Sequence, residues 1–263
     1  MLRAMYSGIS GLKNFQSKLD VVGNNIANVN TFGYKKGRVT FKDLVSQQVG
    51  SATGANAVSG GTNPKEVGLG GTMATVDNVY NQGAMQNTGR ALDVGISGEG
   101  FFALNVNGQT QYTRAGNFYT DNAGDIVNGD GSYLLSTTGQ KITIPAGAKS
   151  LSIGKDGQVS YVNDAGVSTQ VGQIQIVTFA NNAGLSKVGA NNFIQSQNSG
   201  VPNPGIPGQQ GRGELVSGAL EMSNVDLSEE FTEMIVAQRG FQANTRIITT
   251  SDEILQELVN LKR

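Results

Sequence analysis

Two stretches of the chain carry apolar residues at helical spacing, and they lie at its two ends. Met5, Ile9, Leu12, Phe15, Leu19, Val22, Ile26 and Val29 follow one another in steps of three or four residues, the pattern of one helix face at near-heptad spacing. Gly8, Gly11 and Gly23 fall inside it. Each disfavours a helix by about 1 kcal/mol relative to Ala, so this helix is predicted to be marginal alone in water. Toward the other end Leu227, Met234, Phe241, Ile248 and Leu255 recur every seven residues. Phe231, Gln238, Thr245, Asp252 and Val259 form a companion seam, and Ile247, Ile254, Leu258 and Leu261 widen the lower half. Asp226, with Glu229 three residues on, reads as an N-cap with a capping-box partner. Glu229 and Glu230 suit the positive end of the helix dipole, and Lys262 and Arg263 the negative end. One helix is predicted from about Leu227 to near the C-terminus.

Between these ends the period changes. Ser46 to Gly61 is mostly Ser, Gly, Ala, Asn, Gln and Thr, a composition predicted to form a flexible or extended connector, and Val67 to Val79 alternates weakly like a strand. From Leu92 to about Val216 short apolar runs alternate with turn residues. Phe101 to Val106 runs into Asn107-Gly108, a hairpin signal. Asp121 to Gly124, Asp130-Gly131 and Lys155-Asp156-Gly157 mark further turns, and Gly172 to Phe179 alternates through Ile174, Ile176 and Val177. Val201 to Gly208 reads as a loop returning toward the last helix. The fold class expected is α+β, mainly β: an antiparallel all-β central domain flanked by coiled-coil-like N- and C-terminal helices. The expected divisions are a helix over residues 1–31, an extended connector over 32–90, the β domain over 91–216 and the second helix over 217–263. Each stripe suits packing on its own domain's core. A terminal pair around a β body also suits coiled-coil-like association, within one chain or between copies.

Composition removes most chemistry. The 263 residues include no Cys, His or Trp, which excludes thiol and imidazole catalysis, the usual zinc sites and disulfides. Nineteen basic residues against twenty acidic ones give no cationic footprint for nucleic acid. No run approaches the roughly 18 apolar residues of a membrane span, and the opening Met1-Leu2-Arg3-Ala4-Met5 lacks the apolar core of a cleaved leader. Gly98-Glu99-Gly100 opens no helix and reads as a turn, as do Asp121, Asp125 and Asp130, whose spacing is not that of a calcium loop. No catalytic, cofactor or metal residue is assigned, and an enzyme is not expected.

Three blocks carry a resemblance: Asn24 to Lys36, NNIANVNTFGYKK; Thr88 to Leu104, TGRALDVGISGEGFFAL, continued over Tyr112 to Gly131; and Gly218 to Leu261. In this order they resemble the axial rod and hook proteins of the bacterial flagellum. Asn24, Asn25, Asn28, Thr31, Gly33, Tyr34 and Lys35 carry the first block. The Thr88-Gly89-Arg90 lead-in, Val67 to Gly70 and the ending Leu258 to Arg263 look hook-like, so a compact hook-type subunit is expected and a distal-rod type is the alternative, the length being that of a distal rod protein. A secreted β-domain binding module is a distant third reading. The resemblance implies a structural subunit exported unfolded through the flagellar type III apparatus without a cleaved leader. It implies polymerisation with copies of itself into a tube outside the cell, next to rod, hook-cap and hook–filament junction proteins. It also implies that the terminal helices form the inner core, with no cofactor. Gln238, Thr245 and Asp252 would then either penalise wrong registers or face the wet channel.

Overall fold

The computed structural model describes residues 2–54, 60–164 and 166–261. By compactness the chain divides into two units, Met1–Ala27 with Gly37–Asp77 and Asp226–Arg263, and Asn28–Lys36 with Asn78–Val225. The fold is α+β with two helices at the chain's ends and antiparallel strands between.

In the first unit, α1 (Leu2–Ala27) lies antiparallel to α2 (Leu227–Asn260): Gly8 faces Ile248, Phe15 faces Gly240 and Lys18 is paired with Glu233. Asp226 caps α2 as expected, accepting from the N–H groups of Ser228 and Glu229. The expected role of Lys262 and Arg263 lies outside the described residues. α1 stops at Ala27, so Val29 sits in the following turn rather than on the helix. Strand Gly37–Asp43 packs on α1 and pairs with Gly71–Asn78. The expected connector is partly a hairpin, since Ser46–Gly50 pairs with Lys65–Gly68 through a bulge at Gln48/Gly50. Backbone pairing supplies there what the polar composition cannot supply by burial. Residues 55–59 of that connector lie outside the described residues.

In the second unit a nine-stranded antiparallel sheet is built around Phe101–Val106, which pairs with Gln109–Thr113, Tyr133–Leu134 and Ile176–Thr178. Side chains alternate across a strand. Phe102 and Leu104 therefore enter one core with Val94, Ile96, Phe118 and Ile174, while Phe101 and Ala103 enter a second with Tyr112, Val177, Phe179 and Phe193. Burial on both faces explains the continuous apolar run, and each large side chain so buried stabilises the fold by about 1.5–3 kcal/mol. Asn107 and Gly108 both take left-handed φ values, 51° and 86°, in the expected hairpin turn. The return loop over residues 201–208 contains a strand, Asn203–Gly205, paired with Ile176–Thr178; Pro204 is tolerated because the pairing is short and the strand lies at the sheet's margin.

Candidate assembly interface

One row of the seam between α1 and α2 is made by small and polar side chains. Glu230, Ala237 and Ser251 are the buried residues of α2, and Asn244 shares their seven-residue spacing. Gly8 and Gly11 lie against Asn244 and Ile248, and a Cβ on Gly11 would sit 2.9 Å from the Asn244 side-chain amide. Gly240 leaves room for the Phe15 ring, which a Cβ there would enter. These glycines weaken α1 as a lone helix yet allow two helices to approach closely. Asn25 closes the far end. Its Nδ2 donates to Gly37 O (2.9 Å) and to Glu230 Oε2 (3.1 Å), and its Oδ1 accepts from Gly37 N–H (2.9 Å). Asn25 and Glu230 are both buried.

Of the N-terminal stripe, Val22 is buried and Met5, Leu12, Phe15, Leu19 and Ile26 are half-buried, while Ile9 is exposed. Of the C-terminal residues, Met234, Ile248 and Leu255 are half-buried, and Ile248 lies against Gly8 of α1. The companion seam of Phe231, Gln238, Thr245, Asp252 and Val259 is turned outward, as are Leu227 and Phe241. The inward companion is instead the Glu230, Ala237, Asn244, Ser251 row, which a search for apolar residues passes over. Phe231 is 49 % exposed and Val259 65 %, and Ile235, Val236, Ile247, Ile254, Leu258 and Leu261 join them at the surface. A helix of 34 residues spans about 50 Å. Exposed apolar side chains spread along a helix of that length mark an interaction surface.

The Asn28–Lys36 segment makes its contacts inside the second unit. Thr31 Oγ1 donates to Asn28 Oδ1 and Tyr34 N–H to Thr31 O, forming a tight turn. Gly33 has φ +69°, and a Cβ there would lie 2.5 Å from Ala115 N, so glycine is required on both counts. Gly33 N–H donates to Glu221 O (2.8 Å). Lys35 Nζ donates to Glu221 Oε1 (2.7 Å) and Asn81 O (2.9 Å), and Arg114 Nε donates to Glu221 Oε2. Arg114 directs its remaining donors at the carbonyls of Ile96, Gly98 and Gly100. Burial pushes the Glu221 carboxyl up, but the Arg114 and Lys35 charges outweigh it and hold the group below the usual carboxylate range. Glu221 and Arg114 were not singled out in the sequence. Both lie within or beside the quoted blocks, but nothing in local spacing couples residues so far apart. Asn24 is exposed, and it and Asn28 are engaged by other groups. Among the described residues no cluster of acidic side chains fits a metal ion, and no helix is long and apolar enough to cross a membrane.

Three family models match the chain. Residues 5–35 match the flagella basal body rod protein model, 95–161 the flagellar hook protein FlgE/F/G D1 domain, and 216–261 the flagellar basal body rod FlgEFG protein C-terminal model. The chain is 60% identical to the flagellar basal-body rod protein FlgG of Bacillus subtilis over the whole of both chains. It is 39% identical to the corresponding rod protein of Borreliella burgdorferi, again over the whole of both. It is 30% identical to that organism's flagellar hook protein FlgE, in an alignment that extends over 441 positions and covers both chains fully.

Proposed function

Because the chain belongs to the FlgE/F/G family of flagellar rod and hook structural proteins, we propose that it is a rod-type subunit that polymerises with copies of itself through the outward faces of its terminal helices. The observation that carries the reading is the set of large apolar side chains left exposed along α2 between Phe231 and Leu261. Burying one large apolar side chain contributes about 1.5–3 kcal/mol, so the half-exposed members of this set contribute on the order of 1 kcal/mol each when covered. The set as a whole then supplies on the order of 10 kcal/mol. Association opposes that with about 4–15 kcal/mol of lost freedom. One neighbour is therefore marginal, and several neighbours at once are favourable. That balance suits a polymer built by repeating one heterologous contact.

The rod reading replaces the hook-type expectation. Full-length identity of 60% to a rod protein outweighs the three short hook-like stretches, and the hook relatives align only across 441 or 463 positions against 263 residues here. Export to the flagellum, neighbours in the rod and hook, and an inner-core position for residues 1–31 and 217–263 belong to the same proposal. Electron microscopy of the concentrated full-length protein, seeded with sonicated fragments, tests it. Straight tubes support a rod subunit and curved tubes restore the hook reading. Monomer at every concentration contradicts self-assembly.

A further inference from the structure

The two terminal helices differ in length, and their register shows where the surplus lies. Gly8 lies against Ile247 and Ile248, and Phe15 against Gly240, so the start of α1 at Leu2 falls level with about residue 253 of α2. α2 runs on to Asn260, about 10 Å further. At the other end Asn25 bonds Glu230, so α1 stops at Ala27 level with the first turn of α2. The pair is flush at one end and stepped at the other.

The step is apolar. Ile248 meets Gly8 of α1, and Leu255, seven residues on, lies on the same side of α2. Leu258 and Val259 flank that line at 49 % and 65 % exposure, and Ile254 and Leu261 widen the patch. A shallow hollow of about 400 Å³ has Leu255 and Val259 in its wall. Among the described residues the contact stripe of α2 therefore outlasts the helix that covers it. The flush end carries a second exposed apolar set, Leu227, Phe231 and Ile235, spaced one turn apart along α2.

We propose that the step of one copy laps onto the flush end of a second copy, with Leu255 and Val259 of one chain beside Leu227 and Phe231 of the next and the two α2 helices running in the same direction. Shape, charge and length select that occupant. Both patches repeat every fourth residue, so the ridge of one fits the groove of the other. The negative end of one α2 comes beside the positive end of the next. The side chains agree with that polarity: Lys262 and Arg263 follow the step in the sequence, and Asp226 and Glu229 are exposed at the flush end. Glu253 and Glu257 lie on the side of α2 away from Leu255. The lap also occupies the length of α2 that α1 does not cover, so one helix pair continues into the next. Because the two patches differ, the contact is heterologous and repeats into a filament instead of closing into a dimer. The inference rests on the self-assembly reading and deepens it by naming the two surfaces that meet.

The test uses the full chain, which has no native cysteine. A double variant carries Phe231→Cys and Val259→Cys about 40 Å apart along one helix, far beyond the reach of a disulfide within the chain. Seeded tubes of this variant, oxidised with copper phenanthroline and run on a denaturing gel, should give a ladder of dimer, trimer and higher multimers. Each single variant should stay monomeric, and an equal mixture of the two should give dimer and nothing longer. As a second measurement, Val259→Cys is assembled as one part in ten with wild-type protein. Maleimide should label it at least tenfold more slowly in those tubes than in dispersed protein. Tubes in which the double variant stays monomeric, in which the single variants cross-link to themselves as readily as the mixture does, or in which Val259→Cys labels at the dispersed rate overturn the lap while leaving self-assembly standing. Failure of the wild type to form any seeded tube overturns both.

Discussion

Lys35 Nζ lies 2.7 Å from Glu221 Oε1, so a residue that soon follows α1 and one that shortly precedes α2 form a buried ion pair across 186 positions of sequence. Arg114 completes the cluster on the other carboxylate oxygen. Glu221→Ala leaves two buried cations without their shared counter-charge. Breaking a buried pair in this way costs about 3–5 kcal/mol. Equilibrium denaturant unfolding of the full chain should show a loss of that size; a loss under about 1 kcal/mol would mean that the cluster contributes little.

Acid should attack the same unit. Glu221 is held below its usual range by Arg114 and Lys35 against the opposing effect of burial. Asp125 is held below its range by hydrogen bonds from Lys141 and then Thr143. A carboxyl whose folded value is depressed binds fewer protons folded than unfolded. Its stabilisation is complete above the unfolded value, about 4.3 for Glu, and is lost as pH falls through the folded one. Thermal midpoints should therefore be level near neutrality and fall steeply below about pH 4. The acid limb should be shallower in Glu221→Gln, and an identical limb in that variant would contradict the assignment.

Glycines in the helices should separate by what faces them. Gly23→Ala meets nothing within 4 Å and should stabilise α1 by about 1 kcal/mol through helix propensity. Gly240→Ala gains the same propensity but drives a methyl into the Phe15 ring, and should lower the helical signal at 222 nm and the unfolding midpoint. Equal gains in both variants would mean that the helices do not pack at Gly240.

What the sequence made legible follows from where apolar residues sit. Phe101 to Leu104 announced a strand because both its faces are buried, and Asn107-Gly108 announced its turn because few residues accept two left-handed φ values. The Asp226 cap was visible for a similar reason, being local. The small and polar row of the α1–α2 seam was not visible, because Ala237, Asn244 and Ser251 pack through smallness and hydrogen bonding, and Gly8 and Gly11 looked only like weak points. The Asn25–Glu230 and Lys35–Glu221 contacts join positions 205 and 186 residues apart, and no periodicity encodes a pair at that range. The hairpin of Ser46–Gly50 with Lys65–Gly68 was hidden because its stabilisation comes from backbone pairing, to which composition is blind.

Polar replacement of the exposed apolar side chains of α2 should separate folding from assembly. Phe231→Ser, Ile235→Asn and Ile254→Asn lie at exposed positions, so each should change unfolding by less than about 1 kcal/mol. Each should also raise the critical concentration for tube formation tenfold or more, read by pelleting. Variants that unfold like the wild type and still assemble at its concentration would remove these side chains from the interface.

The absence of native cysteine allows one position to be interrogated at a time. The most direct measurement is the maleimide labelling rate of Ile254→Cys in dispersed protein and in sedimented tubes, with Val201→Cys as a control because Val201 lies on a loop at 81 % exposure. Coverage of α2 by neighbouring copies predicts rapid labelling of Ile254→Cys when dispersed and at least a hundredfold slowing in tubes, with the control slowed far less. Equal rates for Ile254→Cys in both states would show that copies do not cover the helix.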